Sequence, residues 1–257
     1  MLRTFAIVVS LTFALIGNAA DVQSRTLTPI VTGFVPVPGA NGSLWRSEVW
    51  ASSAGGQVIN INGNFPCAGG PSPLVCFAAR LDGSGAALKL PFNAAGGGKD
   101  GQFALVPSGG DVRFYTRVQD LSRQEQTWGT SLPVVHESRF ANRVALVDVP
   151  TDVRFRSSLR IYSLIEPQLN GPPLHVRVQI RPLAGFGDLV DEIHDIVGGD
   201  TTGSFAGPGY LQIPLDAWPQ LRGTERLRIV LTSESKIWGF VSVTNNETQH
   251  VTVVSPQ

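Results

Sequence analysis

The chain has 257 residues, and its 20 basic residues equal its 20 acidic residues in number, so the formal net charge is zero. Nucleic-acid-binding proteins carry a basic excess, so this composition argues against a nucleic-acid partner. The length allows a substantial hydrophobic core, in one large or two smaller domains, and we expect no cofactor.

The first residues, 1–20, have the pattern of a secretory signal peptide. Arg3 provides a cationic start, residues 5–16 form an apolar run, and the small residues Ala19 and Ala20 provide a cleavage point. The apolar run is shorter than the roughly 20 residues that span a bilayer, and no second long run follows. The sequence therefore predicts an exported protein, periplasmic or extracellular, with no membrane span after signal removal.

After a predicted N-terminal linker, residues 21–30, the first chemical feature is a pair of cysteines. Cys67 and Cys76 bracket the Gly/Pro-rich segment AGGPSPLV, and no other cysteine occurs. Two thiols so close along a chain in an oxidising compartment predict a disulfide. Their spacing matches neither a redox CxxC motif nor a zinc site, so we expect no metal ligand here.

Alternation of apolar and polar residues with period two is the dominant signal along the chain. In DVRFYTRVQD, Val112 and Phe114 fall on one face while Arg113 and Tyr115 fall on the other, which is typical of a half-buried strand. The segments VRFRSSLRIYS, HVRVQIR, RLRIVLT and KIWGFVSVT follow the same design. In the first of these, the predicted inward residues are Val153, Phe155, Leu159 and Ile161, opposite Arg154, Arg156 and Arg160.

Turn dipeptides separate these runs and predict short antiparallel strands. Asn-Gly and Asp-Gly pairs, whose residues tolerate a positive φ, occur at 41–42, 62–63, 82–83, 100–101 and 170–171. With few long helical periods, this pattern predicts an all-β fold, an antiparallel β-sandwich.

A polar stretch over residues 121–139 interrupts the strand pattern and suggests a domain boundary. It divides the chain into two predicted tandem sandwich domains, 31–136 and 137–257, each of a size typical for one β-sandwich. A single sandwich with long loops is the alternative, because all-β domains reach this length.

The stretch DLVDEIHDIVGGD, residues 188–200, concentrates acidic residues around a histidine. Its carboxylates are ligands that calcium prefers, but it lacks the central Gly and the Glu at the twelfth position of an EF-hand loop. A single amphipathic turn of helix, or an irregular sheet edge guarded by charge, accounts for every residue. We therefore expect a solvated face here and no metal site.

Catalytic templates are absent from the sequence. No GxSxG elbow occurs, and Ser84 lies between glycines in a predicted hairpin turn. HESRF begins with His136 but lacks the second histidine of HExxH, and GGGKDG departs from the phosphate-loop pattern at both ends. The remaining histidines, His175, His194 and His250, are scattered, which disfavours a catalytic triad without excluding one. We therefore predict no catalytic residue.

Two tryptophans in SLWRSEVW suggest a binding surface. If this segment is a strand, Trp45 and Trp50 point to opposite faces, so at most one of them faces a core. An exposed indole beside Arg and Glu can stack on a sugar ring or anchor a protein partner. The alternative is that both rings pack against loops or the other domain.

Two blocks, GANGSLWRSEVW at 39–50 and SVTNNETQHVTVV at 242–254, resemble a pattern of uncharacterised exported bacterial β-sandwich proteins. In those proteins a G-x-x-G-[ST]-x-W-R-[ST]-[DE] segment opens a β-rich region, and a strand pair rich in Ser, Asn and Thr closes it. LPVVHESRF and FRSSLRIY resemble the middle of such proteins. The resemblance implies a β-sandwich and an extracytoplasmic bacterial setting, and it implies no catalytic residue because it brings no assigned activity.

Two functions follow from these observations. The leading prediction is a non-catalytic exported β-sandwich protein, a surface or matrix binding or adhesion module whose loops or Arg-bearing strands recognise a glycan or a protein. The alternative is an exported carboxylate-dependent hydrolase acting on polysaccharide, with the acids of 188–200 as its catalytic cluster.

Overall fold

The computed structural model describes residues 23–31, 36–63, 77–90, 101–107, 109–123, 128–164, 172–196 and 209–256. These residues form strands and short 3-10 helices with no α-helix among them, so the fold is all-β, as the alternation predicts. Nothing in these ranges is a helix of the length and apolarity that a bilayer crossing requires. The predicted signal peptide, Cys67 and Cys76 lie outside the described residues. The 3-10 helices are Ala40–Gly42, Leu121–Arg123, Glu137–Arg139, Leu215–Ala217 and Pro219–Leu221.

The first half of the chain forms two antiparallel sheets. Its described strands are β1 Gln23–Pro29, β2 Val37–Pro38, β3 Leu44–Ser53, β4 Ile59–Gly63, β5 Phe77–Leu81, β6 Leu88–Lys89, β7 Gly101–Pro107, β8 Val112–Asp120, β9 Thr130–Leu132 and β10 Val135–His136. The first sheet has the order β10-β1-β7-β4-β5. The second sheet has the order β2-β3-β8-β9, with β6 beside β3.

These two sheets pack against each other over a shared apolar layer. Val49 and Ala51 of β3 meet Ile61 of β4, Leu81 of β5 and Ala104 of β7 in one buried cluster. Because successive side chains of a strand point to opposite sides, the alternate residues of β3 are left on the outer face of the second sheet. The first half is therefore a sandwich of two sheets.

The N-terminal segment differs from the sequence-based expectation. The sequence predicts a linker over 21–30, whereas most of this segment is strand β1, which lies between β7 and β10. Leu27 pairs with Phe103 on one side and with Val135 on the other, and its side chain is fully buried. The segment is a strand because it pairs with strands that are distant in sequence. The local sequence pattern does not reveal such partners.

The second half of the chain forms one antiparallel sheet of seven strands. They are β11 Ala141–Pro150, β12 Phe155–Ser163, β13 Leu174–Pro182, β14 Val190–Ile196, β15 Gly209–Pro214, β16 Arg226–Asn245 and β17 Val251–Val254. The N-terminal part of the long strand β16 pairs with β11 and β13, and its C-terminal part pairs with β12 and β17. One strand thus belongs to two layers of the same sheet.

Both layers bury their apolar side chains in one core. Leu159 and Ile161 of β12 meet Val178 and Ile180 of β13 and Ile229 of β16, and all five are fully buried. The alternation predicted for the segments HVRVQIR and RLRIVLT is confirmed by these positions. The second half therefore has the sandwich character expected from the sequence, although its two layers are joined through β16.

Two positions of VRFRSSLRIYS depart from the predicted alternation. Val153, predicted to point inward, is 91% exposed because β12 begins only at Phe155. Arg160, predicted to point outward, is only 4% exposed because the first half of the chain covers its face of β12. A strand face opposite one core can be covered by a second layer, which the alternation alone does not show.

The two halves share a buried cluster. Leu27 and Phe103 of the first half pack with Tyr162, Trp238 and Phe240 of the second. The rings of Tyr162 and Phe240 are stacked, with centroids 6.2 Å apart. The sequence predicts tandem domains over 31–136 and 137–257, and the structure shows that both ranges contribute side chains to one common core. The division into two separate domains stays a prediction.

Candidate functional site

A cleft of about 870 Å³ lies between the two halves of the chain. The first half contributes Val31 and Trp45, and the second contributes residues of β12, β15 and β16 with the loops 151–153 and 215–225. Ligand pockets commonly have volumes of roughly 300 to 1,000 Å³ and often lie at such junctions. The cleft therefore has the size and the position of a binding site.

One row of β12 side chains brings polar groups into the cleft because the strand alternates. Arg156, Ser158 and Arg160 line the cleft, whereas Leu159 and Ile161 point into the core of the second half. Four residues of a strand cover about 13 Å, so the two arginines stand at opposite ends of this row, which we call the floor of the cleft.

The neighbouring strands add further polar groups in register. Ser242 of β16 lies opposite Ser158, and Gln212 of β15 lies opposite Arg160. The Nε2 atom of Gln212 donates a hydrogen bond to Ser158 Oγ at 2.9 Å. Thr244 of β16 continues the same polar row. Strands β12, β15 and β16 together present a sheet of hydroxyl, amide and guanidinium groups to the cleft.

Arg160 is the most buried charged residue on this floor, at 4% exposure. Its guanidinium donates to three neutral oxygens: Tyr210 Oη at 2.5 Å, Val31 O at 3.3 Å and Ser242 Oγ at 3.4 Å. Within the described part of the chain, no carboxylate lies within ion-pair distance of this guanidinium. Buried charges are normally paired, so this arrangement is unusual.

Arg156 stands at the more open end of the floor. Its Nη2 atom donates to Gln249 Oε1 at 2.8 Å, and Gln249 in turn donates to Asn246 O at 2.6 Å. The side chain of Arg156 is exposed, while Gln249 is only 2% exposed. The buried Gln249 therefore orients a solvent-accessible guanidinium through a neutral contact, and no described carboxylate pairs with it.

Tryptophans form part of the cleft walls. Trp45 and Trp50 lie on opposite faces of β3, as the alternation predicts, and Trp45 lines the cleft. The Trp45 ring is half-buried and packs beside the cluster that contains Val118 and Val251. Trp218 also lines the cleft but is only 5% exposed, and its Nε1 atom donates to a carboxylate oxygen of Glu192 at 3.0 Å.

Carboxylates also occur in the cleft. Asp152 accepts two hydrogen bonds from the Arg154 guanidinium, at 3.0 and 2.8 Å. These hydrogen bonds hold the pKa of Asp152 below its usual range, so this carboxyl is unsuited to act as a general acid near neutral pH. Asp216 and Glu225 are exposed residues of the loop 215–225.

The acidic stretch at 188–200 forms a sheet edge over its described residues. Strand β14 is the last strand beside β13, so the charged-edge interpretation is confirmed and the helical alternative is wrong. Asp191 receives two hydrogen bonds of 2.6 Å from Arg177, and Asp195 lies 2.6 Å from His175 Nδ1. The Arg177 contacts hold the pKa of Asp191 below its usual range. These acids are engaged in pairs on the exposed edge.

The described residues contain no group of three or more His, Cys, Asp or Glu side chains placed to hold a metal ion. His136 contacts its neighbour Ser138, at 2.8 Å between Nδ1 and Oγ. His175 lies on the exposed edge, and His194 packs edge-on against the Trp218 ring at 5.8 Å. The histidines therefore remain dispersed in the fold.

A second Arg-bearing surface lies on the outer face of the second sheet. Glu48 is 4% exposed and accepts hydrogen bonds from Arg46 at 2.9 Å, Lys89 at 2.5 Å and Arg117 at 2.6 Å. Burial acts to raise the pKa of Glu48, but the hydrogen bonds from Lys89 and Arg117 outweigh it and lower the pKa to about 2. Lys89 also lies 5.6 Å over the Trp50 ring. These cations share a carboxylate, whereas Arg156 and Arg160 form no ion pair with a described carboxylate.

Sequence reasoning missed several residues of the cleft. It identified Trp45 and the arginines of β12, but it assigned no role to Gln212 or Trp218. The signal available in the sequence was the arginine–serine–arginine row at every second position of FRSSLR, which indicates one polar face. The partners of that face, Gln212 on β15 and Ser242 on β16, come from strands whose pairing is non-local.

The chain matches no protein-family model, no curated protein and no solved structure in the comparisons with known proteins. The resemblance of residues 39–50 and 242–254 to exported bacterial proteins therefore stays a sequence-based expectation.

Proposed function

We propose that this protein is a non-catalytic exported binding module that recognises a glycan in the cleft between its halves. The observation that carries the proposal is one cavity in which the Trp45 indole stands beside a floor of guanidinium, hydroxyl and amide groups. A sugar ring has an apolar face that stacks on an aromatic ring and a rim of hydroxyl groups that need hydrogen-bond partners. The cleft offers both kinds of contact.

The polar groups of the floor suit hydroxyl groups in particular. Ser158, Ser242 and Thr244 each combine a donor with acceptor lone pairs, and Gln212 offers an amide with both functions. These groups come from three paired strands, which fix their mutual positions better than a loop does. A ligand that presents several hydroxyls at fixed spacing meets a preformed set of partners here.

The shape of the site favours a glycan over a folded protein partner. Stable protein–protein interfaces bury roughly 800 Å² on each partner and are formed by broad surfaces. The cleft is concave, and Trp45 and the loop 215–225 line it together with the polar side chains of β12, β15 and β16. A narrow polymer or its end enters such a site more readily than a folded domain does.

A polysaccharide hydrolase is the less supported alternative. Glycoside hydrolysis needs two carboxyl groups on either side of the scissile bond, one of them with a raised pKa. None of the described acids of 188–196 lines the cleft, and Asp191 has a lowered pKa. Asp152 lines the cleft but is also held ionised by Arg154. The lowered pKa values oppose the role of general acid for these two residues.

The test is a polysaccharide panel. The protein is expressed with residues 1–20, purified after processing, and incubated with neutral and acidic bacterial and plant polysaccharides while retention and released fragments are both measured. We expect retention without fragments, weakened by Trp45→Ala and by Gln212→Ala. Gln212 is exposed, so its substitution leaves the fold intact and separates loss of binding from unfolding.

Control substitutions locate the binding surface. Trp128→Ala removes an indole that is 86% exposed outside the cleft and should leave retention unchanged. Loss of retention with Trp50→Ala but not with Trp45→Ala would move the site to the outer face of the second sheet. Retention of no glycan contradicts the proposal, and released fragments support the hydrolase.

A further inference from the structure

We infer, on the basis of the proposed glycan-binding function, that the ligand is an acidic glycan whose carboxylate groups are bound by Arg160 and Arg156. The inference concerns the chemical class of the sugar, a uronic acid polymer, which the stacking and hydroxyl contacts do not specify. It rests on the charge state and burial of the cleft floor.

Arg160 points to an anionic ligand because its charge is buried and forms no ion pair with any carboxylate of the described residues. Removing a guanidinium from water is costly unless a carboxylate or a similar anion compensates the charge. The three acceptors of Arg160 are a phenol, a backbone carbonyl and a serine hydroxyl, all neutral. Tyr210, Val31 and Ser242 therefore hold the guanidinium in a fixed orientation without neutralising it.

Arg160 is among the residues that line the cleft, so a ligand in the cleft can supply an anion that the described residues do not provide. Arginine has five N–H donors in a planar fork, and three neutral oxygens do not use all of them. A carboxylate is planar and accepts two parallel hydrogen bonds from such a fork. Because Arg160 is already held in one orientation before a ligand binds, forming that contact costs less conformational entropy.

Arg156 extends the same chemistry along β12. It lies about 13 Å from Arg160 along the strand, which is longer than a single sugar ring. The neutral side-chain oxygen of Gln249 orients Arg156, in the same way that three neutral oxygens orient Arg160. Two guanidiniums without an ion-pair partner among the described residues, with Ser158 between them, suit a chain that carries more than one carboxylate.

No acidic residue that lines the cleft forms an ion pair with Arg156 or Arg160. Asp152 is engaged by Arg154, and no described carboxylate forms an ion pair with Arg156 or Arg160. Asp216 and Glu225 lie on the exposed loop, where water solvates their charges. The charged residues that line the cleft are Arg156, Arg160, Arg222, Asp152, Asp216 and Glu225.

The experiment compares two polymers that differ in their carboxyl groups. Polygalacturonate and its highly methyl-esterified form are titrated against the purified processed protein, with dextran as a neutral glycan and dextran sulfate as a non-carboxylate polyanion. We expect polygalacturonate to bind at least about tenfold more tightly than the ester, since a charged hydrogen-bonded contact is lost. Its affinity should also fall as salt is raised.

Variants assign the contacts. Arg156→Gln and Arg160→Lys should each weaken polygalacturonate binding about tenfold or more and leave binding of the ester nearly unchanged. Arg113→Gln, which removes a 77% exposed arginine outside the cleft, is the matched control and should change neither. Arg160 is buried, so its substitution could unfold the protein, and the melting temperature of each variant is measured beside its titration. If the Arg160 variant is unfolded, the exposed Arg156 variant tests the inference.

The outcomes distinguish the inference from the proposed function. Equal binding of the acid and the ester overturns the acidic-glycan inference and leaves glycan binding standing. Binding of dextran sulfate without polygalacturonate overturns the carboxylate assignment. Binding of no glycan, neutral or acidic, overturns the proposed function and the inference together.

Discussion

Arg25 and Glu137 form an ion pair, with 3.0 Å between Arg25 Nε and Glu137 Oε2. A second nitrogen of the same guanidinium, Nη1, donates to Leu164 O at 3.1 Å. Arg25 belongs to the first strand, Glu137 to the segment that joins the halves, and Leu164 to the second half. One side chain therefore links three parts of the chain that are distant in sequence.

We predict that residues 137–257 do not fold by themselves. In that fragment Tyr162, Trp238 and Phe240 lose the contact with Leu27 and Phe103. Exposing these aromatic surfaces costs roughly 5 kcal/mol or more, comparable to the whole stability of a domain. Near-ultraviolet circular dichroism and a thermal scan check this, with the full chain as reference. A cooperative transition of the fragment at the full-chain temperature would contradict the prediction.

Glu48 should make the free energy of unfolding fall at acidic pH. Its folded pKa of about 2 lies below the value of about 4.3 for an unfolded chain, so its ion pairs contribute fully above the unfolded pKa. That contribution is lost as pH falls through 4 toward 2. Glu48→Gln should lower the free energy of unfolding at pH 7 by about 2 kcal/mol, discounted because Lys89 is half-exposed.

The measurement for Glu48 is the melting temperature between pH 7 and pH 2. The wild-type protein should lose more stability on acidification than Glu48→Gln, because the variant has no carboxyl to protonate at this position. Glu234→Gln, at an exposed site, is the control and should follow the wild type. Parallel pH profiles of wild type and Glu48→Gln would refute the assigned pKa.

The acidic edge strand should not respond to calcium. Asp191 and Asp195 are engaged by Arg177 and His175, and they stand on an exposed edge. The double variant Asp191→Asn, Asp195→Asn should show the same melting temperature with and without calcium, as should the wild type. A calcium-dependent rise in the wild type that disappears in the variant would restore the cation-site interpretation. Glu192 is left unchanged because it accepts the Trp218 hydrogen bond.

Gly239 should be intolerant of a side chain. A Cβ atom at this position of β16 would stand 2.8 Å from the carbonyl oxygen of Arg160 and 3.0 Å from Leu231. Gly239→Ala should destabilise the protein by about 1 to 3 kcal/mol through overpacking and should also displace the backbone under Arg160. Denaturant unfolding measures the first effect. Gly42→Ala is the comparison, because an added Cβ there has no atom within 4 Å while φ is positive. Its effect on stability reports backbone strain without crowding.

Sequence patterns predicted the all-β class and the faces of individual strands. Alternation in β8 and β13 is a local property, since side chains of one strand point alternately to its two sides whatever the partner. It placed Val178 and Ile180 in the core, and it placed Trp45 and Trp50 on opposite faces of β3. For residues 188–200 the sequence predicted a solvated face but did not distinguish a helical turn from a charged sheet edge.

The tertiary structure alone decided which polar face is covered and what that face can bind. Arg160 alternates correctly with Leu159 and Ile161, yet it is buried, because Val31 and the first half of the chain lie over its side of β12. The division of β16 between two layers and the strand identity of residues 23–29 depend on partners far away in sequence. Local patterning describes one strand, whereas a cleft between two halves arises from non-local pairing and packing.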